Sequence, residues 1–208
     1  MNFDPVYLLY ALIAYLLGSI STAIITCKIM GLADPRSVGS NNPGATNVLR
    51  TGGKKAAIIT LFGDMLKGLL PVLVAQQMQA GNTALAITGI SAFLGHLYPL
   101  YFGFKGGKGV ATFYGVLLGI NWIIGLAALA VWGAMALIFK ISALSALVSA
   151  FSAPFIIWYI DGSAILIAAT VLMSTLLILK HHSNIKRLLQ GTEGKIASGD
   201  KTDKSKPE

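Results

Sequence analysis

Six long apolar runs, at about 5–30, 56–79, 83–104, 108–139, 141–160 and 162–179, take up most of the chain. An α-helix needs about 20 such residues to cross a bilayer, with a range of about 17 to 25. Inside a bilayer only helices or closed barrels satisfy every backbone polar group, and continuous apolar runs of this length read as helices. The fold class is therefore an all-α integral membrane protein. Composition agrees: 55% of residues are apolar and 12% charged, with a mean hydropathy of +0.72, where a soluble domain carries about 25% charged residues. The single cysteine, Cys27, allows no intramolecular disulfide. Helix packing must hold the fold, and the 23 glycines permit close helix contacts. The first run reads as a retained span, because Asp4 stands where a signal peptide would be basic and the run is too long.

Charge sets the topology. Of the sixteen Lys and Arg, all but Lys67 fall in loops or at helix ends. The fourth apolar run, about 32 residues, is long for one span and short for two. As one span it would put Lys140 and every basic residue from Lys180 onward on the far side, splitting the basic residues almost evenly. If it turns back near Gly119, Asn121 and Trp122, they all share one side, and Asp4 and Asp161 lie on the other. The positive-inside rule selects the second arrangement: seven transmembrane helices, N-terminus periplasmic, C-terminus cytoplasmic. Residues 1–197 then form one membrane domain with its site on the cytoplasmic face, and 198–208 a disordered polar tail. No internal repeat suggests an inverted-repeat transporter.

Three polar clusters fall on the basic side. The first, VGSNNPGATNVLRTGGKK, follows span one. Its Ser, Asn, Pro and Gly could be turn chemistry alone. Arg50 adds a rigid fork of donors suited to phosphate, with Ser40, Thr46, Asn47 and the amides near Gly44 as further donors. The second is FKGGKGVAT. It fails the P-loop pattern, since Phe102 replaces the first Gly and Gly109 follows Lys108. Its glycines would still let backbone N–H groups approach an anion at the start of a helix, and Lys105 and Lys108 add charge. The alternative is a cytoplasmic turn whose lysines only anchor topology, and His96 reads as a helix-end hydrogen-bonding residue. The third, KHHSNIKRLLQGTEGK, could be an interfacial basic helix, or His181 and Asn184, three apart, could point together at whatever the other clusters hold. Within span two, GDMLKG buries Asp64 and Lys67 three residues apart, a pair able to brace the floor of such a site.

GSNNPGATNVLRTGG, GFKGGKGVATFYG and HHSNIKRLLQGTEGK, in this order with GDMLKG between the first two, closely resemble the motifs of the membrane-embedded bacterial glycerol-3-phosphate acyltransferases that use acyl phosphate, the PlsY family. The resemblance runs to about Ile196. It implies a multi-pass enzyme of the bacterial inner membrane that moves a fatty acyl group from acyl phosphate to the sn-1 hydroxyl of glycerol 3-phosphate, giving lysophosphatidic acid and inorganic phosphate. No cofactor, metal or nucleic acid is implied; the partners are the two substrates, membrane lipid and, transiently, the soluble enzyme that supplies acyl phosphate. By the same resemblance Ser40, Arg50, Lys108, His181 and Asn184 would be catalytic. Thr46, Asn47, Lys105, Gly106, Gly107, Gly109 and Ser142 would bind substrate, Ser145 competing with Ser142, and Asp64, Lys67 and Glu193 would give structural support.

An acyl phosphate is a mixed anhydride with a good leaving group, so attack by an alcohol asks for orientation and charge stabilisation more than for a strong base. The proton could go to His181 or to a phosphate oxygen of the donor, and the weak demand for a base favours the phosphate. A small-anion transporter is the rival class. It would need polar groups through both halves of the membrane, and the far half offers little beyond Asp161.

Overall fold

The computed structural model describes residues 5–196; Asp4 and the polar tail 198–208 lie outside the described residues. The described chain is helical: α1 (Val6–Gly18), α2 (Thr22–Ile29), α3 (Ala45–Gln77), α4 (Gly81–Leu97), α5 (Val110–Ile120), α6 (Trp122–Phe139), α7 (Ser142–Ile160), α8 (Ala164–Lys180) and α9 (His182–Leu189), with a 3-10 turn over Leu100–Phe102.

The first apolar run is broken between α1 and α2. Gly18 packs with its Cα against the backbone of Ala92, where any side chain would collide, and Ser19 turns its hydroxyl back onto the Tyr15 carbonyl at 2.8 Å. The break exposes the Ile20 carbonyl, which accepts a hydrogen bond from Lys67 Nζ at 2.7 Å. In α3 the break comes at Gly53, whose φ of +82° only glycine adopts at little cost. The segment before it, expected as loop, is helical from Ala45 and carries Thr46, Asn47 and Arg50.

The fourth apolar run reverses where the sequence suggested. Asn121 ends α5 and starts α6, its side chain accepting from the Ile123 N–H at 2.8 Å. Gly125 lies against Leu118 across the turn. Glycines also let α5 sit directly on α3: a side chain at Gly115 would strike the Met65 carbonyl, and one at Gly68 the Thr112 carbonyl. Eight of the eleven residues of α5 are buried, with Phe113, Val116 and Leu117 in the main core.

Among the described residues, five segments are long and apolar enough to cross a membrane: Val6–Ile29, Ala45–Gln77, Gly81–Phe102, Trp122–Phe139 and Ser142–Ile160. A sixth, α8 with α9, is bent by 60°. At about 1.5 Å per residue α5 rises only about 16 Å, half of a hydrocarbon core of about 30 Å. The expectation of seven spans thus meets five or six full-length ones and a half-length central helix. The short α5 leaves room above its first turn, and the site lies there.

Candidate active site

Three helices begin at one cavity of about 270 Å³: Gly44, Ala45 and Thr46 of α3, Gly109, Val110 and Ala111 of α5, and Ser142 and Ala143 of α7 line it. The first N–H groups of an α-helix have no partner within the helix, and the helix dipole makes that end partly positive. Three such ends on one cavity make its mouth electrostatically suited to an anion, and Arg50, Lys108 and Arg187 add full charges. Below this polar mouth the walls are apolar. Tyr114 and Ala146 lie one turn into α5 and α7, Leu129 and Trp132 about two to three turns back along α6, and Leu61 and Met65 face them from α3.

Local contacts fix the polar groups. Asn47 accepts from the Ser40 N–H at 2.9 Å and donates to the carbonyls of Pro35 and Val38 at 2.9 and 3.0 Å, folding the Ser40 loop onto the start of α3. The hydroxyls of Thr46 and Ser142 are 3.2 Å apart. Lys108 donates to Asn184 Oδ1, Asn184 Nδ2 donates to Glu193 Oε1 at 2.7 Å, and Arg187 donates to Glu193 Oε2 at 2.6 Å. Arg50 donates to the Gly194 carbonyl at 3.3 Å, and the Ile196 N–H to the Lys140 carbonyl at 2.8 Å. The three polar clusters of the sequence therefore meet at one end of the bundle.

Burial, then repulsion by Arg187 and Arg50, brings the Lys108 ammonium down to about 8, with Glu193 opposing. His181, the first residue beyond α8, is 4% exposed. Its Nδ1 faces the Leu177 carbonyl at 2.8 Å. That nitrogen must carry the hydrogen, because a carbonyl only accepts, so Nε2 is left as an acceptor. Burial lowers its pKa to about 4 despite the Leu177 bond and Glu193, with Lys108 adding to the fall. The imidazole is neutral throughout the physiological range.

The family model for glycerol-3-phosphate acyltransferase matches residues 8–191. The chain belongs to the glycerol-3-phosphate acyltransferase family. Over 93% of its length it is 54% identical to a glycerol-3-phosphate acyltransferase of Methylococcus capsulatus, covering 98% of that protein. It is 57% identical to one of Thioalkalivibrio sulfidiphilus, with 91% and 92% covered. Its fold is similar to crystal structures of PlsY, an integral membrane glycerol 3-phosphate acyltransferase, in a glycerol 3-phosphate form (TM-score 0.87, 37% identity, 91% of this chain and 95% of that one) and a lysophosphatidic acid form (TM-score 0.84, 36% identity, with the same coverage). The chain is thus a multi-pass membrane acyltransferase of the PlsY family.

Within this family fold, Ser40, Thr46, Asn47, Arg50, Lys108, Gly109, Ser142, His181, Asn184 and Glu193 all line the cavity. Asp64 reaches its floor and pairs with Lys67 at 2.9 Å. Ser145 instead spends its hydroxyl on the Ile141 carbonyl of its own helix at 2.8 Å. Four expected residues stand apart from this set or have their side chains engaged elsewhere. Lys105 is exposed and does not line the cavity. Gly106 and Gly107 do not line it either: they are glycines because the loop lies directly on the end of α4, where a side chain would strike the His96 carbonyl or ring. Asn47 has its side chain engaged with its own loop, which makes it an organiser of that loop. Arg187, His96 and Trp132 line the cavity without having been expected there. The i, i+3 spacing of Asn184 and Arg187 was the signal that could have found Arg187.

Proposed function

We propose that the chain transfers a fatty acyl group from acyl phosphate to the sn-1 hydroxyl of glycerol 3-phosphate, releasing lysophosphatidic acid and inorganic phosphate, at the cytoplasmic face of a bacterial inner membrane. The observation that carries this reading is the amphipathy of the cavity, with three helix N-termini and three cations at its mouth and apolar helix faces below. A phosphate joined to a fatty chain matches both halves. The second cavity, of about 210 Å³ between α1, α3 and α4 in the other half, is apolar apart from Tyr10 and Thr88. This weighs against a polar path through the protein and so against transport.

In this reading Lys108 and the N-terminus of α5 hold the donor phosphate, with the acyl chain running between α3, α5, α6 and α7. Arg50, Ser40, Thr46 and Ser142 supply further donors at the mouth. His181 Nε2 accepts from the hydroxyl of glycerol 3-phosphate that does not react, and Asn184 holds the same substrate, oriented by Glu193, which also steadies Arg187. The sn-1 hydroxyl oxygen attacks the acyl carbonyl carbon, the bond from that carbon to the phosphate oxygen breaks, and the sn-1 hydroxyl proton passes to the departing phosphate. A histidine held at about 4 is a weak proton acceptor, which favours the phosphate in that role.

Purified protein in detergent is given acyl phosphate with and without glycerol 3-phosphate, and phosphate release and lipid product are measured, with acyl-CoA and acyl carrier protein thioester as alternative donors. Turnover is expected only with acyl phosphate and glycerol 3-phosphate together. Equal turnover with a thioester donor would overturn the donor assignment.

A further inference from the structure

Asp64, Lys67 and His96 have no part in the chemistry above, yet the fold brings them together under the loop that carries Lys108. Asp64 is 2% exposed, Lys67 8% and His96 6%. Asp64 Oδ1 lies 2.9 Å from Lys67 Nζ and 3.8 Å from His96 Nδ1. Neither Asp64 Oδ1 nor His96 Nδ1 makes a hydrogen bond among the described residues. A buried ion pair adds little stability over a well-packed apolar pair; Lys67 is accounted for by its bond to the Ile20 carbonyl, which leaves the juxtaposition of Asp64 and His96 to be explained.

The reason lies in what His96 and Asp64 hold. The His96 carbonyl accepts the Gly107 N–H at 3.2 Å. Its ring lies so close to Gly107 that a side chain there would overlap Nε2, and one at Gly106 would overlap the His96 carbonyl oxygen. Beyond the loop, the Asp64 carbonyl accepts the Thr112 hydroxyl at 2.8 Å, in the first turn of α5. Residues 106–109 thus lie between the carbonyl and ring of His96 on one side and, through Thr112, the backbone carbonyl of Asp64 on the other; the Asp64 carboxylate reaches the loop only through the His96 ring. A separation of 3.8 Å exceeds the range of about 2.7–3.2 Å for a hydrogen bond, but a ring lone pair facing a carboxylate would be repelled. Nδ1 therefore carries the hydrogen, and the charge–dipole attraction sets the ring plane against Gly107.

We infer that Asp64 and His96 are a positioning pair that sets the geometry of the Gly106–Gly109 loop, and through it the placement of Lys108 on the donor phosphate, with Lys67 balancing the charge of Asp64. The inference rests on the proposed donor site.

The test separates the two ends of the histidine. Asn at position 96 keeps a donor near the place of Nδ1 but has no atom against Gly107, whereas Gln reaches toward Gly107 without a donor at the place of Nδ1. Both His96→Asn and His96→Gln should raise the KM for acyl phosphate by about tenfold or more through displacement of the loop, with the KM for glycerol 3-phosphate nearly unchanged. In an Asp64→Asn/Lys67→Gln background, where the link is already broken, His96→Gln should cost little further. A second readout needs no turnover: the inorganic phosphate concentration giving half-maximal thermal protection of the detergent-solubilised protein should rise by about tenfold in both His96 variants. A wild-type KM for acyl phosphate in either His96 variant, fully additive losses in the combined variant, or a parallel rise in both substrate KM values would overturn the inference. A wild type that binds phosphate with this pattern but does not turn over acyl phosphate would instead overturn the function proposed above and leave the positioning pair standing.

Discussion

Lys108 should give the enzyme an alkaline limb that appears in one kinetic constant and not in the other. Its fall from 10.5 to about 8 corresponds to a cost of about 3 kcal/mol for carrying the charge, at about 1.36 kcal/mol per pH unit. Burial is the largest cause, followed by Arg187. A bound phosphate dianion reverses the balance, because one opposite charge at about 4 Å is worth about 4 kcal/mol at an effective dielectric constant near 20. The ammonium in the complex should therefore stay protonated beyond pH 10. The pH dependence of kcat/KM reports the free enzyme and that of kcat the complex. Above pH 8 kcat/KM for acyl phosphate should fall by about tenfold per unit, while kcat stays level to about pH 9.5. Initial rates of phosphate release at saturating glycerol 3-phosphate, corrected for uncatalysed hydrolysis, measure both. Lys108→Arg, charged at every pH used, should show a lower but flat profile. An alkaline limb that persists in Lys108→Arg, or that appears equally in kcat and kcat/KM, would refute the reasoning.

His181→Gln should raise the KM for glycerol 3-phosphate and leave the pH profile between 5.5 and 7.5 unchanged in shape, since the histidine is already neutral there; an acidic limb in wild type that disappears in this variant would make His181 the base. Arg50→Lys keeps the charge but loses the fork, one of whose N–H groups is held by the Gly194 carbonyl, and should cost about tenfold or more in kcat/KM; wild-type kinetics would reduce Arg50 to a topological anchor. Reporter fusions after Lys54, Lys140 and Lys195 should all read cytoplasm and one after Asp161 periplasm; a periplasmic reading at Lys140 would mean that the α5–α6 hairpin does not return to its starting face.

Apolar run length showed where the helices lie, and lysine bookkeeping found the hairpin at Asn121, because both follow from the cost of polar groups in lipid. What run length could not show was depth. An apolar run reads alike whether it faces lipid or protein, so the turn near Asn121 pointed to a short first half but not to the burial of eight of the eleven residues of α5. Its ends are set by Gly109 and Asn121, and Gly68 and Gly115 seat it directly on α3. The break after Gly18 was equally hidden: its exposed carbonyl is satisfied by Lys67, forty-seven residues away in sequence, and no local pattern shows such a partner.

The site was legible wherever chemistry and position coincide, and misleading where glycine has two uses. Glycine near an anion reads as backbone approaching the ligand, and Gly109 fits that reading, with its φ of +88° at the start of α5 in the cavity wall. Gly106 and Gly107 are glycine for a different reason, the close passage of the loop over His96, so an alanine at position 107 would displace the histidine ring before it met any phosphate. His96 and Asp64, read singly, had good structural explanations. Only the 3.8 Å between them, with Gly107 resting on one and Thr112 bonded to the backbone carbonyl of the other, suggests a single support, which in the inference above would act on the donor phosphate through Lys108. In the proposed reading Lys108 and the N-terminus of α5 would bind the anion, and two buried residues outside the loop would hold them in register.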